Sequence, residues 1–466
     1  MSCLPKPTRL AVPVVFVLCA LVYLASPVRQ DADADYSILL SQHFLRHGDL
    51  ALDRYFEAPI DESRHATLRS DGLPYHVVIA AGHIYHFYPP GRSLLSVPAV
   101  ALLNAAGLSA IADDGRYDPR GERLIQDILA ALLAALFVAT VFSTCRILLP
   151  ETTAAALSFA VAFGTQTWTT AAVGFWSHTW LIVLLGFVIR QLLADALGRR
   201  SLSPVGLGSL LALSYITRPT ALIAVACVVS YVFVCRREHL ARLATTLAVW
   251  LCAFVLYSMV LFESPLPGYF TRSIRFGAFG EGLAGLLVSP AKGLLVYVPI
   301  VLISVYFPVR YRAHLRSRGL AVLSAAAVGA HLISNAGFDS WGFGWSYGPR
   351  LMTDSLPWGV LLAILGVDAW RQGRTTGTRL ATERWVVAGL AAVSVFVNAG
   401  GALSKQSVLW NAYPENIDFA QQRNWDWSDP NFLAWANPRD PTWMAQAPSQ
   451  WRAPPPWRKP SEAEAH

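Results

Sequence analysis

Apolar segments of bilayer-crossing length recur along this chain, and they constrain its fold more than any other feature. Candidate spans cover residues 10–28, 124–148, 153–168, 177–195, 205–218, 219–235, 243–262, 285–307, 319–335, 351–369 and 385–402. A helix needs roughly 20 apolar residues to cross the hydrocarbon core. Backbone polar groups cannot stay unpaired there, so each segment reads as a helix. Charge agrees, because 14% of the residues are charged against roughly 25% in soluble domains. With a mean hydropathy of +0.41, this excludes a soluble enzyme, a disordered chain and a fibrous repeat. The expected fold is an all-α polytopic membrane protein with about eleven transmembrane helices.

The net charge of +7 resides largely in short loops between apolar blocks. Arg199/Arg200, Arg236/Arg237/Arg242, Arg310/Arg312/Arg316/Arg318 and Arg371/Arg374/Arg379/Arg384 mark loops on the cytoplasmic side, shared with the N-terminus. Nucleic acid is not an expected partner. A further apolar block, residues 93–111, would reverse the later loops if it crossed, so a re-entrant or interfacial helix is expected there. This topology leaves residues 29–122 outside as a large loop within a 1–402 membrane module. The C-terminus is also outside, with a Trp-rich tail over 403–452 and a disordered end over 453–466. Six cysteines without CxxC spacing imply neither a disulfide framework nor a zinc site. The first 28 residues read as an uncleaved span rather than a signal peptide. The Ala-, Leu- and Arg-rich composition points to a bacterial plasma (inner) membrane.

Chemistry-bearing residues concentrate on the outer side. Asp31-Ala-Asp33-Ala-Asp35-Tyr36 follows the first span directly, at a boundary whose low dielectric raises carboxylate basicity. An amphipathic stretch from Tyr36 then ends at Gly48-Asp49, as an interfacial helix would. The same loop carries His86-Phe87-Tyr88-Pro89-Pro90-Gly91-Arg92 ahead of the 93–111 block. Arg92, Arg218, Arg272, Arg275, Lys292 and Arg350 are cations on or near the side where the positive-inside rule disfavours them. Arg218 lies between two apolar runs with no acid within ten residues, and an arginine near membrane depth usually faces a functional cavity.

An acid just outside the first span, an aromatic, and a helix ending in Gly-Asp together resemble the GT-C superfamily of integral-membrane glycosyltransferases. Protein O-mannosyltransferases and the aminoarabinose transferase of lipid A belong to it. The Tyr88-Pro89-Pro90 run resembles the superfamily's aromatic or His/Lys-Pro-Pro motif. Trp168…Trp176-Ser177-His178, Tyr215-Ile-Thr-Arg218-Pro219, Ser289-Pro290-Ala-Lys292-Gly293 and Trp341-Gly-Phe-Gly-Trp345-Ser-Tyr347-Gly348-Pro349-Arg350 resemble segments of bacterial members. The resemblance extends over about residues 10–430.

It implies a sugar donor carried on a polyprenyl phosphate and an outer acceptor in the cell envelope (glycan, lipid or protein). An outer-loop Asp would act as general base, with inversion at the anomeric carbon. Asp33 takes the place of the catalytic acid and Asp35 lies two residues on. The superfamily's second adjacent acid is replaced by Ala34, which keeps both open. Arg218, Lys292, Arg350 and Arg92 are the candidates for the donor phosphate, whose developing charge needs cationic partners. His86, Tyr88, His178, Trp345 and Tyr347 are the candidates for acceptor or sugar contacts. His83 and His86 lack a third ligand, so no metal and no cofactor is expected, although Asp53, Glu57 and Asp61 leave a divalent ion open. The alternative is a polytopic transporter or lipid-linked glycan flippase. That reading requires ionisable residues mid-span in paired broken helices, whereas spans 285–307, 319–335 and 385–402 are nearly free of charge.

Overall fold

The computed structural model describes residues 10–30, 33–57, 72–271, 277–338, 341–342, 344–373 and 378–439. Helices dominate, in the order α1 Ala11–Ala25, α2 Ser37–His47, α3 Gly91–Ala105, α4 Pro119–Cys145, α5 Glu151–Phe163, α6 Ser177–Ala196, α7 Pro204–Thr217 and α8 Leu222–Cys235. They continue with α9 Leu240–Phe262, α10 Phe279–Val288, α11 Leu294–Tyr297, α12 Ile303–Arg310, α13 Arg318–Ala336, α14 Leu356–Gly373, α15 Thr378–Leu403 and α16 Gln406–Leu409. Among the described residues, six stretches, containing α4, α6, α9, α13, α14 and α15, are long and apolar enough to cross a membrane. The remaining expected spans hold shorter apolar helices.

The centre of the bundle is α4, which packs against α1, α5 and α6. Its start is set by Asp118, whose side chain accepts from the Arg120 N–H, with Pro119 at the first helical position. Ala130, Ala131, Ala134, Ala135 and Ala139 are all buried along it. Such small side chains let neighbouring backbones approach closely where lipid supplies no hydrophobic drive for helix association. A second buried layer joins α14 to α12, α13 and α6. By contrast, α9 exposes Val249, Leu251, Leu256 and Val260, the surface of a lipid-facing helix.

The basic loops meet at one end of the bundle. Arg236 pairs with Asp195 at 2.6 Å and Arg316 with Asp368 at 2.9 Å, while Arg371 donates to the Thr153 hydroxyl. Residues 33–57, 72–118, 218–221, 289–293, 341–342 and 344–350 collect at the other end, with the tail residues 404–439 upon them.

Two sequence expectations need correction. The span expected over 285–307 is not one helix. At Val288 α10 stops, Ser289 is extended, and helical structure resumes only at Leu294. A residue before proline is pushed out of the helical region, and here that proline is Pro290. The break leaves Lys292 in a loop between helices. Nor is the chain entirely helical, because β1 (Val77–Ala80) and β2 (His83–His86) form an antiparallel hairpin. Its turn is Ala81-Gly82, both at positive φ, the geometry that matches strand twist in two-residue hairpins. An Ala-Gly pair carries a weaker turn signal than Asn-Gly, so the hairpin escapes a sequence reading.

The 15-residue α3 packs on α2 and against α7. At 1.5 Å per residue it extends about 22 Å, short of a hydrocarbon core of about 30 Å. The tail 404–439 forms a small layer in which Trp410, Ile417 and Ala434 are buried together with Ala291 of the membrane bundle. The end expected to be disordered, 453–466, lies outside the described residues, as do Asp31, Asp61, Arg272 and Arg275.

Candidate active site

The turn that carries Asp33 is held from below by a residue the sequence reading passed over. Glu122, in the first turn of α4, is fully buried. Its carboxylate accepts from the backbone N–H groups of Tyr36 (3.1 Å), Ile38 (2.8 Å) and Leu39 (3.4 Å). These are free donors at the start of α2, and an anion there also suits the helix dipole. Gln126, one turn on, donates to the Ala34 carbonyl at 2.8 Å. Tyr36 takes a positive φ of 65°, so the chain reverses sharply between Asp33 and α2. In sequence, Glu122 stands among Arg120 and Arg123 and looks like an ordinary loop acid.

Asp33 is the meeting point of distant segments. The Tyr88 hydroxyl donates to its Oδ1 at 2.9 Å, and Arg350 Nη1 approaches Oδ2 at 3.2 Å. Arg92, buried at the start of α3, donates to the Asp33 carbonyl at 3.0 Å and to the Phe175 carbonyl at 2.9 Å. It braces the backbone beneath the carboxylate. Asp35 faces elsewhere, with His76 Nε2 at 3.9 Å from its Oδ2. Its carbonyl accepts from His86 Nε2 at 3.1 Å, a neutral ring because burial pulls the His86 pKa down to about 3. Tyr88 also packs edge to face on Phe87 and at a tilt against His86 and Tyr269.

Two further cations stand close by. Arg350 stacks on Trp176, its guanidinium carbon 4.5 Å from the ring centre, which fixes the planar fork beside Asp33. Lys292, buried in the loop after α10, donates to the carbonyls of Gly344 (3.1 Å) and Ser346 (2.9 Å) and to the Ser346 hydroxyl (2.9 Å). Burial first, and then the charge of Arg350, draws its pKa down to about 7. Lys292 and Arg350 line one small recess with Trp341, Ser346 and Leu351. Leu287 and Met352, the chain neighbours of the recess residues Leu286 and Leu351, line a separate apolar cavity of about 730 Å³ that runs along α12 and α13 to Arg312 and Arg318.

Arg218 is compensated by an acid 136 residues away. Asp354, almost fully buried, accepts from Arg218 Nε at 2.6 Å, from the Thr220 hydroxyl at 2.6 Å and from His178 Nδ1. Arg218 also donates to the Ser177 hydroxyl at 3.0 Å. This cluster borders Asp33 and Arg350, and the sequence reading missed its hub. Tyr347 and Trp345 turn away from the recess. The Tyr347 hydroxyl is buried on the Val397 carbonyl at 2.6 Å, so the ring packs within the bundle. Trp345 donates to Asn416 of the tail at 3.1 Å.

The described carboxylates near this end are engaged by other groups. Asp33 meets a guanidinium, Asp35 faces His76 and His86, and Asp53 is taken by His83 and the Ile84 N–H. Among the described residues, no three His, Cys, Asp or Glu side chains converge as a ligand group.

An acid after the first helix, cations at the same end and an Arg-rich opposite end are arranged on a helical bundle that makes this a multi-pass membrane protein. Its fold is shared with solved membrane proteins. Similar folds occur in the oligosaccharyltransferase of Archaeoglobus fulgidus in its apo form (TM-score 0.50, 11% identity, over 90% of this chain and 60% of that one). The same enzyme in complex with zinc and sulfate matches with a TM-score of 0.50 at 14% identity, over 88% of this chain and 57% of that one. ArnT from Cupriavidus metallidurans, bound to undecaprenyl phosphate, is similar at a TM-score of 0.46 and 13% identity, over 92% and 76% of the two chains. This chain thus spans about three fifths of the oligosaccharyltransferase it matches. No protein-family model and no curated protein sequence matches it.

Proposed function

We propose that this chain is a membrane glycosyltransferase that moves a sugar from a polyprenyl-phosphate donor to a hydroxyl on a cell-envelope acceptor. The observation that carries this reading is the Asp33–Arg350 pair: Arg350 lines a recess with Lys292, and an apolar cavity is lined from the very next residues in the chain, Leu287 and Met352. A lipid phosphate has the matching order. Its isoprenoid tail suits the cavity, its phosphate suits the cations, and its sugar would then face Asp33. The shared fold with the oligosaccharyltransferase supports the same class of chemistry.

In the free protein Arg350 neutralises Asp33. A bound phosphate competes for that guanidinium and frees the carboxylate. Asp33 then takes the proton of the acceptor hydroxyl, which attacks the anomeric carbon from the side opposite the phosphate. As the new C–O bond forms, the bond to the phosphate oxygen breaks and its electron pair leaves with the lipid phosphate, giving inversion. Arg350 and Lys292 offset the charge that develops on that oxygen. The proton ends on Asp33, whose placement beside the cations supports it over Asp35 as the base. In the bacterial plasma membrane the Asp33 end would face outward and the arginine-rich end the cytoplasm.

The test uses membranes containing wild type, Asp33→Asn or Asp35→Asn, incubated with radiolabelled polyprenyl-phosphate sugars and cell-envelope extract. Label should pass to a new acceptor in wild type and Asp35→Asn. Asp33→Asn should lose at least about a hundredfold, the usual range for a general base. Equal behaviour of all three proteins with every donor would reject the reading.

A further inference from the structure

The Trp-rich tail reaches the recess of Lys292 and Arg350 through one residue, Gly344. Asp418, buried in the tail, accepts from the Gly344 N–H at 2.7 Å. Gly344 sits at a φ of +86°, in the left-handed region that favours glycine. Its carbonyl is one of the three acceptors that hold the Lys292 ammonium. Its Cα faces Arg350 so closely that an added Cβ would lie 2.7 Å from Arg350 Nη2. One residue therefore holds Lys292 through its carbonyl and leaves Arg350 the space a side chain would fill, while a tail carboxylate fixes its N–H. Neighbouring contacts clamp the same loop. Asn416 accepts from Trp345 Nε1, and the Asn424 carbonyl accepts from the Ser289 hydroxyl at 2.6 Å, within the Lys292 loop.

We propose that Asp418 is a positioning residue for donor binding: from the C-terminal tail it fixes the backbone at Gly344, and through that residue it holds Lys292 in place beside Arg350 for a lipid phosphate. This rests on the reading of the recess as the donor phosphate site. It makes the tail part of the site and not a separate appendage. The carboxylate acts by accepting a hydrogen bond from a buried N–H, a group that is costly to leave unpaired. Its negative charge also lies near Lys292 and offsets the repulsion between the two cations.

The test measures binding of a fluorescent polyprenyl phosphate, and of the matching uncharged polyprenol, to the purified full-length protein in detergent. In Asp418→Ala, affinity for the phosphate should fall about tenfold, equivalent to about 1.4 kcal/mol, with the polyprenol unchanged. Asp418→Asn, which keeps an acceptor oxygen, should stay within about threefold of wild type. Asp418→Ala placed in a Lys292→Ala background should add little further loss, as expected for residues acting through one contact. Gly344→Ala, which crowds Arg350 with Asp418 intact, should give the same phosphate-selective loss and replaces Asp418→Ala if that variant does not fold. Wild-type affinity in the variants, or equal losses for phosphate and polyprenol, would overturn the role of Asp418 while leaving the donor site standing. A wild-type protein that binds the two lipids alike would reject the donor reading, and the inference with it.

Discussion

Arg350 Nη1 lies 3.2 Å from Asp33 Oδ2, joining residues 317 positions apart in the chain. The guanidinium is backed by Trp176 and the carboxylate by the Tyr88 hydroxyl, so neither partner turns freely to solvent. This pair brings the first and last thirds of the bundle together. In the proposed reaction it breaks and reforms once in each turnover.

Arg350→Ala should lower turnover about a hundredfold, the usual effect of removing a preorganised donor from a developing anion. Arg350→Lys should recover only part of it, because a lysine cannot bridge carboxylate and phosphate with a planar fork. Initial rates of label transfer at saturating donor decide this. Equal activity of the Lys variant and wild type would remove the argument from fork geometry.

The pH dependence of donor binding should follow Lys292. Its pKa is drawn down to about 7, so the ammonium is lost as pH rises through that value and affinity for a lipid phosphate should weaken. Lys292→Arg should flatten the profile between about pH 7 and 9. Stability moves the other way. An unfolded lysine keeps its proton to about 10.5, so between about 7 and 10.5 the unfolded state binds more protons and this residue's contribution to folding stability rises with pH. Binding titrations and thermal melts across that range check both signs.

Glu122→Ala should destabilise the protein by about 3 kcal/mol, because it strips a buried acceptor from three N–H groups at the start of α2. Glu122→Gln retains one acceptor oxygen and should fall between. Thermal melts in detergent should rank wild type above Gln and Gln above Ala. Transfer activity should follow the same order, since the Asp33 turn rests on these bonds.

Filling the apolar cavity should separate tail binding from phosphate binding. Gly329 lines the cavity, and a Cβ added there meets no atom within 4 Å. Gly329→Phe should therefore fold normally while occupying space meant for an isoprenoid. Affinity for a long-chain polyprenyl phosphate should drop about tenfold, roughly the apolar burial of two methylene groups. A short-chain analogue should bind as before. An unchanged long-chain affinity would place the tail elsewhere.

The membrane character of this chain was legible because it is written locally. A bilayer demands about 20 apolar residues in a row and charged loops between them, and both are visible in any window of sequence. The acidic turn before α2, the Tyr88-Pro-Pro run and the ends of most spans were placed on the same grounds. The break at Ser289-Pro290 was carried by the proline itself, but the apolar residues on either side read as one block. The β1–β2 hairpin lies in a polar loop, where an Ala-Gly turn is an indistinct signal.

Sequence alone determined which segments are helices, which end of each is basic, and that an acid and several cations share the opposite end. It could not say which of them meet. Arg218 seemed unpaired until Asp354 reached it from 136 residues away, Glu122 looked like a loop acid until α2 docked on it, and Asp418 stood in a tail without visible purpose. Hydrophobic length is a property of a segment in a solvent, whereas an ion pair or a cap depends on two segments brought together. Helix packing alone decides that, which is why the tertiary structure selected Asp33, Arg350 and Lys292 from the many charges the sequence offered.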